Sequence, residues 1–88
     1  MRVVWHWWGI RATVDAQTVQ QLITAVEQGE QAVRDLLTTR LGYGFAELVR
    51  ILMTWGAQAL RAMSAQCGGR GLALTVPWTL WGSHISCG

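Results

Sequence analysis

The stretch VVWHWWGIRATV, residues 3 to 14, decides how the rest of this chain is interpreted. Its β-branched and aromatic residues alternate between two faces, which is typical of a strand. One face carries Val4, His6, Trp8, Ile10, Ala12 and Val14, and the other carries Val3, Trp5, Trp7, Gly9, Arg11 and Thr13. We therefore predict a single strand whose first face, with Trp8, packs on the rest of the protein. Trp5, Trp7 and Arg11 are expected to face outward.

Length and composition predict one small globular domain over residues 1–88. A domain of 88 residues buries only about 60% of the surface that its unfolded chain exposes, so its core must be dense or cross-linked. Hydrophobic residues make up 51% of the chain and charged residues 14%, which excludes a disordered protein.

Charged residues interrupt every long apolar run, so no membrane span is predicted. The N-terminus is not a typical signal peptide, and the chain is expected to be either intracellular or a mature form that begins at an added Met1.

After Asp15 the apolar period changes from that of a strand to that of a helix. Asp15 is expected to end the strand and to cap the helix that follows. Apolar residues then recur on one helical face at Val19, Leu22, Ile23 and Val26 and, beyond Gly29, at Val33, Leu36 and Leu37. Because the second group keeps the phase of the first, we prefer one bent helix over about 16–41 to two helices separated at Gly29.

A third helix of about 22 residues is predicted from Phe45, with a narrow polar stripe, and it is expected to be the most buried element. The glycine-rich residues 67–71 end it. Strands are then predicted over 71–76 and 79–86, with a bend at Pro77, because proline interrupts the hydrogen bonding of a strand.

These elements predict an α+β fold. A lone strand leaves its backbone groups unpaired, so the N-terminal and C-terminal strands are expected to form a small antiparallel sheet. A helical hairpin, made of one long bent helix or two shorter ones plus the long third helix, is expected to pack on that sheet.

Cys67 and Cys87 are the only cysteines, and they are 20 positions apart. A disulfide between them would stabilise the fold by roughly 3 kcal/mol, because it removes chain entropy from the unfolded state. We predict this disulfide in preference to two free thiols. It also predicts a secreted protein, since disulfides persist in oxidising compartments.

No motif predicts catalysis or cofactor binding. The histidines, His6 and His84, and the two cysteines lack the spacing of a zinc or haem site. Ser83 and His84 are neighbours on a predicted strand and so point to opposite faces, and no acid is placed to orient the histidine. The glycines of 67–71 follow a helix and precede a strand, which is the reverse of the order in a phosphate-binding loop. We therefore expect no enzymatic activity, no cofactor and no metal.

Tryptophan and positive charge are concentrated towards the two chain ends. All seven basic residues are arginine, and segments 1–14, 15–47 and 48–88 carry net charges of +2, −3 and +3. Five of the six tryptophans lie in acid-free terminal segments, at Trp5, Trp7, Trp8, Trp78 and Trp81. These tryptophans complete a core that is too small to be built from leucine and valine, contact the interface between water and a bilayer, or stack on sugars. Nucleobase stacking would require more charge and a recognisable motif, so no nucleic-acid partner is expected.

The overall layout resembles that of small secreted bacterial proteins of the bacteriocin-like type. The resemblance lies in a strand with the sequence WHWWGIRATVD, an amphipathic helix, an apolar helical middle and a closing CGGRGLALTVPW, and it covers most of the chain. It implies an exported, antimicrobial or envelope-directed protein and assigns no site residues. The strands and the five acidic residues depart from the pattern of a simple helical bacteriocin.

We therefore expect a secreted protein that binds an anionic membrane surface or another component of the cell envelope. Its helical hairpin is expected to insert into the membrane or to oligomerise, and its contact residues are expected to be Trp5, Trp7, Arg11, Arg70, Trp78 and Trp81. The alternative is a structural or protein-interaction module that self-associates, because the apolar surface predicted for the longest helix exceeds what one small core hides.

Overall fold

A computed structural model describes residues 1–88 as four strands and three helices. In chain order these are β1 (Arg2–His6), β2 (Gly9–Val14), α1 (Ala16–Gln28), α2 (Glu30–Leu41), α3 (Ala46–Gln66), β3 (Leu72–Pro77) and β4 (His84–Cys87). The strands form one antiparallel sheet in the order β1-β2-β3-β4, and the helices are inserted between β2 and β3. The predicted α+β fold, with helices and an antiparallel sheet built from both chain ends, is confirmed.

The central pair of the sheet, β2 and β3, supplies much of the core. The two strands pair along their whole length, from Gly9 opposite Pro77 to Val14 opposite Leu72. Their core-facing side chains are at most 1% exposed, namely Ile10, Ala12, Val14, Leu72, Leu74 and Val76. β3 is the most buried element, and the expectation that α3 would be so is wrong. The reason is that β3 has a strand on each side and the core on one face, whereas α3 turns its polar stripe to solvent.

The opening stretch is a hairpin and not the single strand predicted from its alternation. β1 ends at His6, the chain turns at Trp7 and Trp8, and β2 returns beside β1 from Gly9. The most reliable sequence signal for a two-residue hairpin turn is Asn-Gly or Asp-Gly, which supplies positive φ angles. Neither tryptophan has a positive φ, so this turn forms without that signal.

Asp15 ends β2 and caps α1, as predicted. Its carboxylate accepts hydrogen bonds from the Thr18 hydroxyl at 2.7 Å and from the Thr18 backbone N–H at 3.2 Å. The amino group of Met1 lies 3.2 Å from the same carboxylate. The Thr18 hydroxyl is the largest cause, and together these contacts hold the pKa of Asp15 well below its usual range.

The helical region 16–41 is two helices, and the preference for one bent helix is wrong. Gly29 separates α1 from α2 with φ 119° and ψ 176°, a conformation essentially restricted to glycine. The apolar phase continues across this break because Val26 and Val33 enter the same core. α3 contains a similar break that was not predicted, at Gly56, where φ is 83° and ψ is 167°.

At the C-terminus the predicted bend and the predicted disulfide are both present. β3 ends at Pro77, but residues 78–83 form a loop and not the start of a strand over 79–86, so β4 is shorter than predicted. The sulfur atoms of Cys67 and Cys87 are bonded at 2.07 Å. The disulfide therefore joins the end of α3 to β4.

Gly29→Ala is predicted to lower the free energy of unfolding by about 1–3 kcal/mol, because alanine is strained in this conformation. In one continuous helix the same change would raise the free energy of unfolding by about 1 kcal/mol. Urea denaturation followed by circular dichroism measures the sign, and a stabilised variant would contradict the two-helix structure. The control is Gln28→Ala, at the exposed neighbouring position, with an expected change below about 0.5 kcal/mol.

The double variant Cys67→Ala/Cys87→Ala is predicted to lose roughly 3 kcal/mol of stability, because the cross-link no longer restricts the unfolded chain. Reduced wild-type protein is the control and should denature at a similar urea concentration. Alkylation without reductant should label neither cysteine of the wild type. Two labelled cysteines in protein from an oxidising compartment would contradict the bridge.

Candidate functional site

Exposed aromatic residues gather at one end of the sheet, where three connections meet. The β1–β2 turn and the loop 78–83 leave the sheet at the same end, because Gly9 lies opposite Pro77. The connection between α2 and α3 reaches this end as well, since the ring centroids of Phe45 and Trp5 are 5.2 Å apart. We call this surface the aromatic end and define it by Trp5, Trp7, Tyr43, Trp78 and Trp81.

Trp78 holds two of these connections together. Its indole Nε1 donates a hydrogen bond to the Trp7 carbonyl oxygen at 2.9 Å, and its backbone N–H donates to the Trp8 carbonyl oxygen at 3.0 Å. Its ring centroid lies 5.5 Å from that of Trp5. The turn and the loop are therefore one connected structure, and Trp78 is the least exposed tryptophan of the aromatic end.

The other aromatic side chains project into solvent. Trp7 is 91% exposed and Trp81 is 87% exposed, so these two indoles contribute almost nothing to the core. Trp5 and Tyr43 are also mostly exposed, although each packs its ring against Phe45 on one side. Several exposed aromatic side chains at one end of a small protein are typical of a contact surface.

The loop that carries Trp81 is held in a defined conformation. Leu80 has φ 65° and is the only residue other than glycine with a positive φ, a conformation that strains a leucine. Its side chain packs against the core, its N–H bonds to the Pro77 carbonyl oxygen at 2.8 Å, and its carbonyl oxygen accepts from the Ser83 hydroxyl at 2.9 Å. The core therefore fixes Leu80 inward, while the next residue is left fully projecting.

The predicted faces of the opening stretch are partly reversed. Residues opposite each other on antiparallel strands share a face, and Trp5 lies opposite Ile10. Trp5 is therefore on the helix side, beside Phe45, and not on the outward side with Arg11. Trp8 lies in the turn, half-buried and stacked on His6 with 4.8 Å between ring centroids, and not in the core. Across a two-residue turn, odd-numbered residues of the first strand share a face with even-numbered residues of the second. The alternation of the sequence continues through the turn, so it does not reveal this change.

The structure brings together only part of the predicted contact set. Trp5, Trp7 and Trp78 are in one cluster, and Trp81 is in the loop at the same end. Arg11 is exposed on the face of the sheet away from the helices. Arg70 is at the opposite end, because it precedes β3, which at six residues is about 20 Å long.

Two residues of this region were missed by sequence reasoning. Tyr43 lies between two glycines, and this segment was interpreted only as a break between helices. The signal that could have identified Tyr43 is the presence of an aromatic residue in a turn, where side chains are usually exposed. His6 was expected on the buried face, but it lies on the outer face of the sheet opposite Gly9.

The side chains of the aromatic end offer apolar and stacking contacts. No three side chains of histidine, cysteine, aspartate or glutamate come close enough to hold a metal ion. The one pocket on the surface lies elsewhere, between α1 and α2, and glutamines form much of its wall. The aromatic end is therefore a projecting surface, unlike the concave site in which a small molecule usually binds.

The helices keep their apolar residues inside. Leu48, Leu52 and Leu60 of α3 are at most 1% exposed, and no large hydrophobic residue of any helix is among the exposed ones. Met53, Trp55 and Met63 of the same helix are half-buried, so part of its apolar surface still meets solvent. None of the three helices combines the length and the apolar character that crossing a bilayer requires.

Comparison of the chain with models of known families, with curated proteins and with solved structures found no match. A functional assignment therefore depends on the geometry of the chain itself.

Trp5→Ala is predicted to lower the free energy of unfolding by about 1–3 kcal/mol, because it removes two aromatic contacts, to Phe45 and Trp78. Trp7→Ala is the matched control, and its effect should be below about 0.5 kcal/mol because the side chain touches little. Urea denaturation followed by circular dichroism measures both. A larger loss for Trp7→Ala than for Trp5→Ala would show that the strand register is wrong.

Proposed function

We propose that this is an exported protein that binds the surface of a membrane, in the cell envelope, through its aromatic end. The observation that carries the proposal is the projection of Trp7 and Trp81 from two loops that are held together by Trp78. Indole side chains are favoured at the bilayer surface, where the apolar ring lies among the headgroups and the N–H still meets a polar partner.

The shape of the aromatic end favours a bilayer over a small molecule. A small ligand is usually enclosed by a pocket, and the only pocket lies between α1 and α2. Exposed indoles that project from loops, as Trp7 and Trp81 do, can enter the headgroup region of a bilayer, where lipids rearrange around them.

The charge of the chain supports an anionic membrane. The formal net charge is +2, and Arg11 lies on the sheet close to the aromatic end without a carboxylate partner. Arginine adds to interfacial binding by pairing with lipid phosphate. Arg70, at the far end, is not part of this contact in our proposal.

The helices support the docking surface and do not insert. Their apolar side chains pack in the core, and the disulfide fastens the end of α3 to the sheet. The protein would therefore bind with its fold intact, with the depth of contact limited to the loops. The disulfide supports export, and the resemblance in layout to bacteriocin-like proteins supports a bacterial envelope as the target and growth inhibition as a readout.

Self-association is the second candidate, and the same exposed indoles favour it. Two aromatic ends could cover each other in a homo-oligomer, which would also remove their apolar surface from water. Light scattering distinguishes the two candidates. A stable oligomer without lipid favours association, and a monomer that binds vesicles favours the membrane.

Wild-type protein is predicted to co-sediment with vesicles that contain phosphatidylglycerol at low salt. The double variant Trp7→Ala/Trp81→Ala should bind at least about tenfold more weakly, because two indoles no longer leave water. Trp55→Phe is the control, since it removes an indole from α3, away from the aromatic end, and should bind as the wild type does. Failure of the wild type to bind any vesicle would contradict the proposal.

A further inference from the structure

The face of the sheet that the helices leave uncovered carries its own set of basic side chains. In one row across the sheet, Arg11 lies opposite Thr75, and Thr75 lies opposite His84. Arg2 and His6 are on the same face of β1, each diagonal to Arg11 at about 7–8 Å between Cα atoms. We call this surface the basic sheet face and define it by Arg2, His6, Arg11 and His84.

No carboxylate neutralises the basic sheet face. The strands contain no acidic residue, and the only ion pairs of arginine are those of Arg34 with Glu30 and Arg61 with Glu27, on the helices. Asp15, which follows β2, accepts its hydrogen bonds from Thr18 and the Met1 amino group. The two arginines of the sheet are therefore free to pair with an external anion.

We infer that the basic sheet face binds the phosphate groups of anionic lipids and that protonation of its two histidines strengthens this binding in acid. The inference rests on the proposed function, because it describes how the same docked protein is oriented and regulated. The basic sheet face adjoins the aromatic end on two strands. His6 directly precedes the turn that carries Trp7, and His84 directly follows the loop 78–83.

The surroundings of the two histidines contain positive charge and no negative charge. His6 lies diagonal to Arg11, and its ring is stacked on Trp8 with an interplanar angle of 8°. A positively charged ring is attracted to the face of an indole, so this contact persists after protonation. His84 is exposed, its Nδ1 lies 3.1 Å from the Gly82 carbonyl oxygen, and the facing residue of β3 is Thr75. Protonation of both rings in acid would add two positive charges beside the two arginines.

The row that joins Arg11 to His84 also contains an unpaired hydroxyl. Thr75 Oγ1 is buried and has no hydrogen-bond partner. Arg11 and His84 flank this residue on the two neighbouring strands, so a phosphate oxygen would reach the hydroxyl only when the side chains that cover it move apart.

Lipid phosphate is favoured over nucleic acid by the position of the aromatic residues. A sheet that binds single-stranded nucleic acid places aromatic rings within its face, where bases stack on them. Here the outward residues beside Arg11 in its row are Val4 and Thr75, the one stacked pair at the face is His6 with the half-buried Trp8 of the turn, and the exposed indoles lie at the end of the sheet. That arrangement favours a bilayer surface, where the arginines contact lipid phosphates and the indoles enter the headgroup region.

The test measures binding of the full chain to vesicles of phosphatidylcholine alone and of phosphatidylcholine with phosphatidylglycerol, at about pH 8 and about pH 5.5. Wild-type affinity for the anionic vesicles should rise about tenfold in acid, and Arg11→Gln should lower it about fivefold at either pH. Arg50→Gln is the matched control, because it removes an exposed arginine from α3 and should have little effect. The double variant His6→Gln/His84→Gln should abolish the rise in acid.

Several results would overturn the inference. A vesicle affinity that changes neither with phosphatidylglycerol nor with pH would overturn the inference and leave the proposed function intact. Equal losses of affinity for Arg11→Gln and Arg50→Gln would have the same consequence. Tighter, Arg11-dependent binding of a single-stranded RNA oligonucleotide at the same salt would assign the face to nucleic acid. Thermal melting checks the fold of each variant, and His84→Gln alone, at an exposed position, should halve the acid effect on a logarithmic scale if the double variant does not fold. Absence of binding to every vesicle would refute the proposed function and the inference together.

Discussion

The pairing of β2 with β3 is the interaction on which the rest of this structure depends. It joins residues 9–14 to residues 72–77, so that every helix lies within the chain between the two strands. Closing so long a connection costs chain entropy, which the burial of six core side chains on these strands offsets. Once the pair forms, the hairpin turn at Trp7 and Trp8 and the loop 78–83 must leave the sheet at the same end. The pairing of β2 with β3 therefore brings the turn and the loop together at the aromatic end, although they are far apart in sequence.

The same topology separates the charges. The helices come from the middle of the chain, where all five acidic residues lie, and they cover one face of the sheet. The strands come from the acid-free ends, so the opposite face receives arginine and histidine alone among charged side chains. A chain with a modest net charge therefore presents one basic side, and local charge density decides how such a surface meets an anion more than net charge does.

Sequence patterns predicted the features that depend on local chemistry or on a strong period. The cap at Asp15, the bend at Pro77, the disulfide and the α+β fold all belong to this group. The turn at Trp7 and Trp8 could not be predicted, because neither residue has the conformational preference that identifies a hairpin turn. That omission reversed the side assigned to Trp5 and His6, since one missing turn changes the parity of every residue on one strand.

The breaks between and within the helices were not predicted for a different reason. A single glycine within an apolar helical period is compatible with a continuous helix or with a break, and only tertiary packing decides between them. Gly29 and Gly56 both break their helices. The separation of Arg70 from Trp78 follows from the strand between them, which the sequence predicts, whereas the separation of Arg70 from Trp5 and Trp7 depends on how β3 pairs with β2.

The central claim is that a fully folded protein meets the bilayer with the tips of its two aromatic loops. Quenching of tryptophan fluorescence by lipids brominated at different depths tests this most directly. We predict the strongest quenching for bromine near the headgroups, and weaker quenching in Trp7→Phe/Trp81→Phe, which retains Trp5 and Trp78 at the aromatic end and Trp55 within the helices. Quenching that is strongest for bromine deep in the acyl chains would show that the helices enter the membrane, and quenching that is undiminished in this variant would show that the tips of the two loops are not the contact. Either result would contradict the central claim.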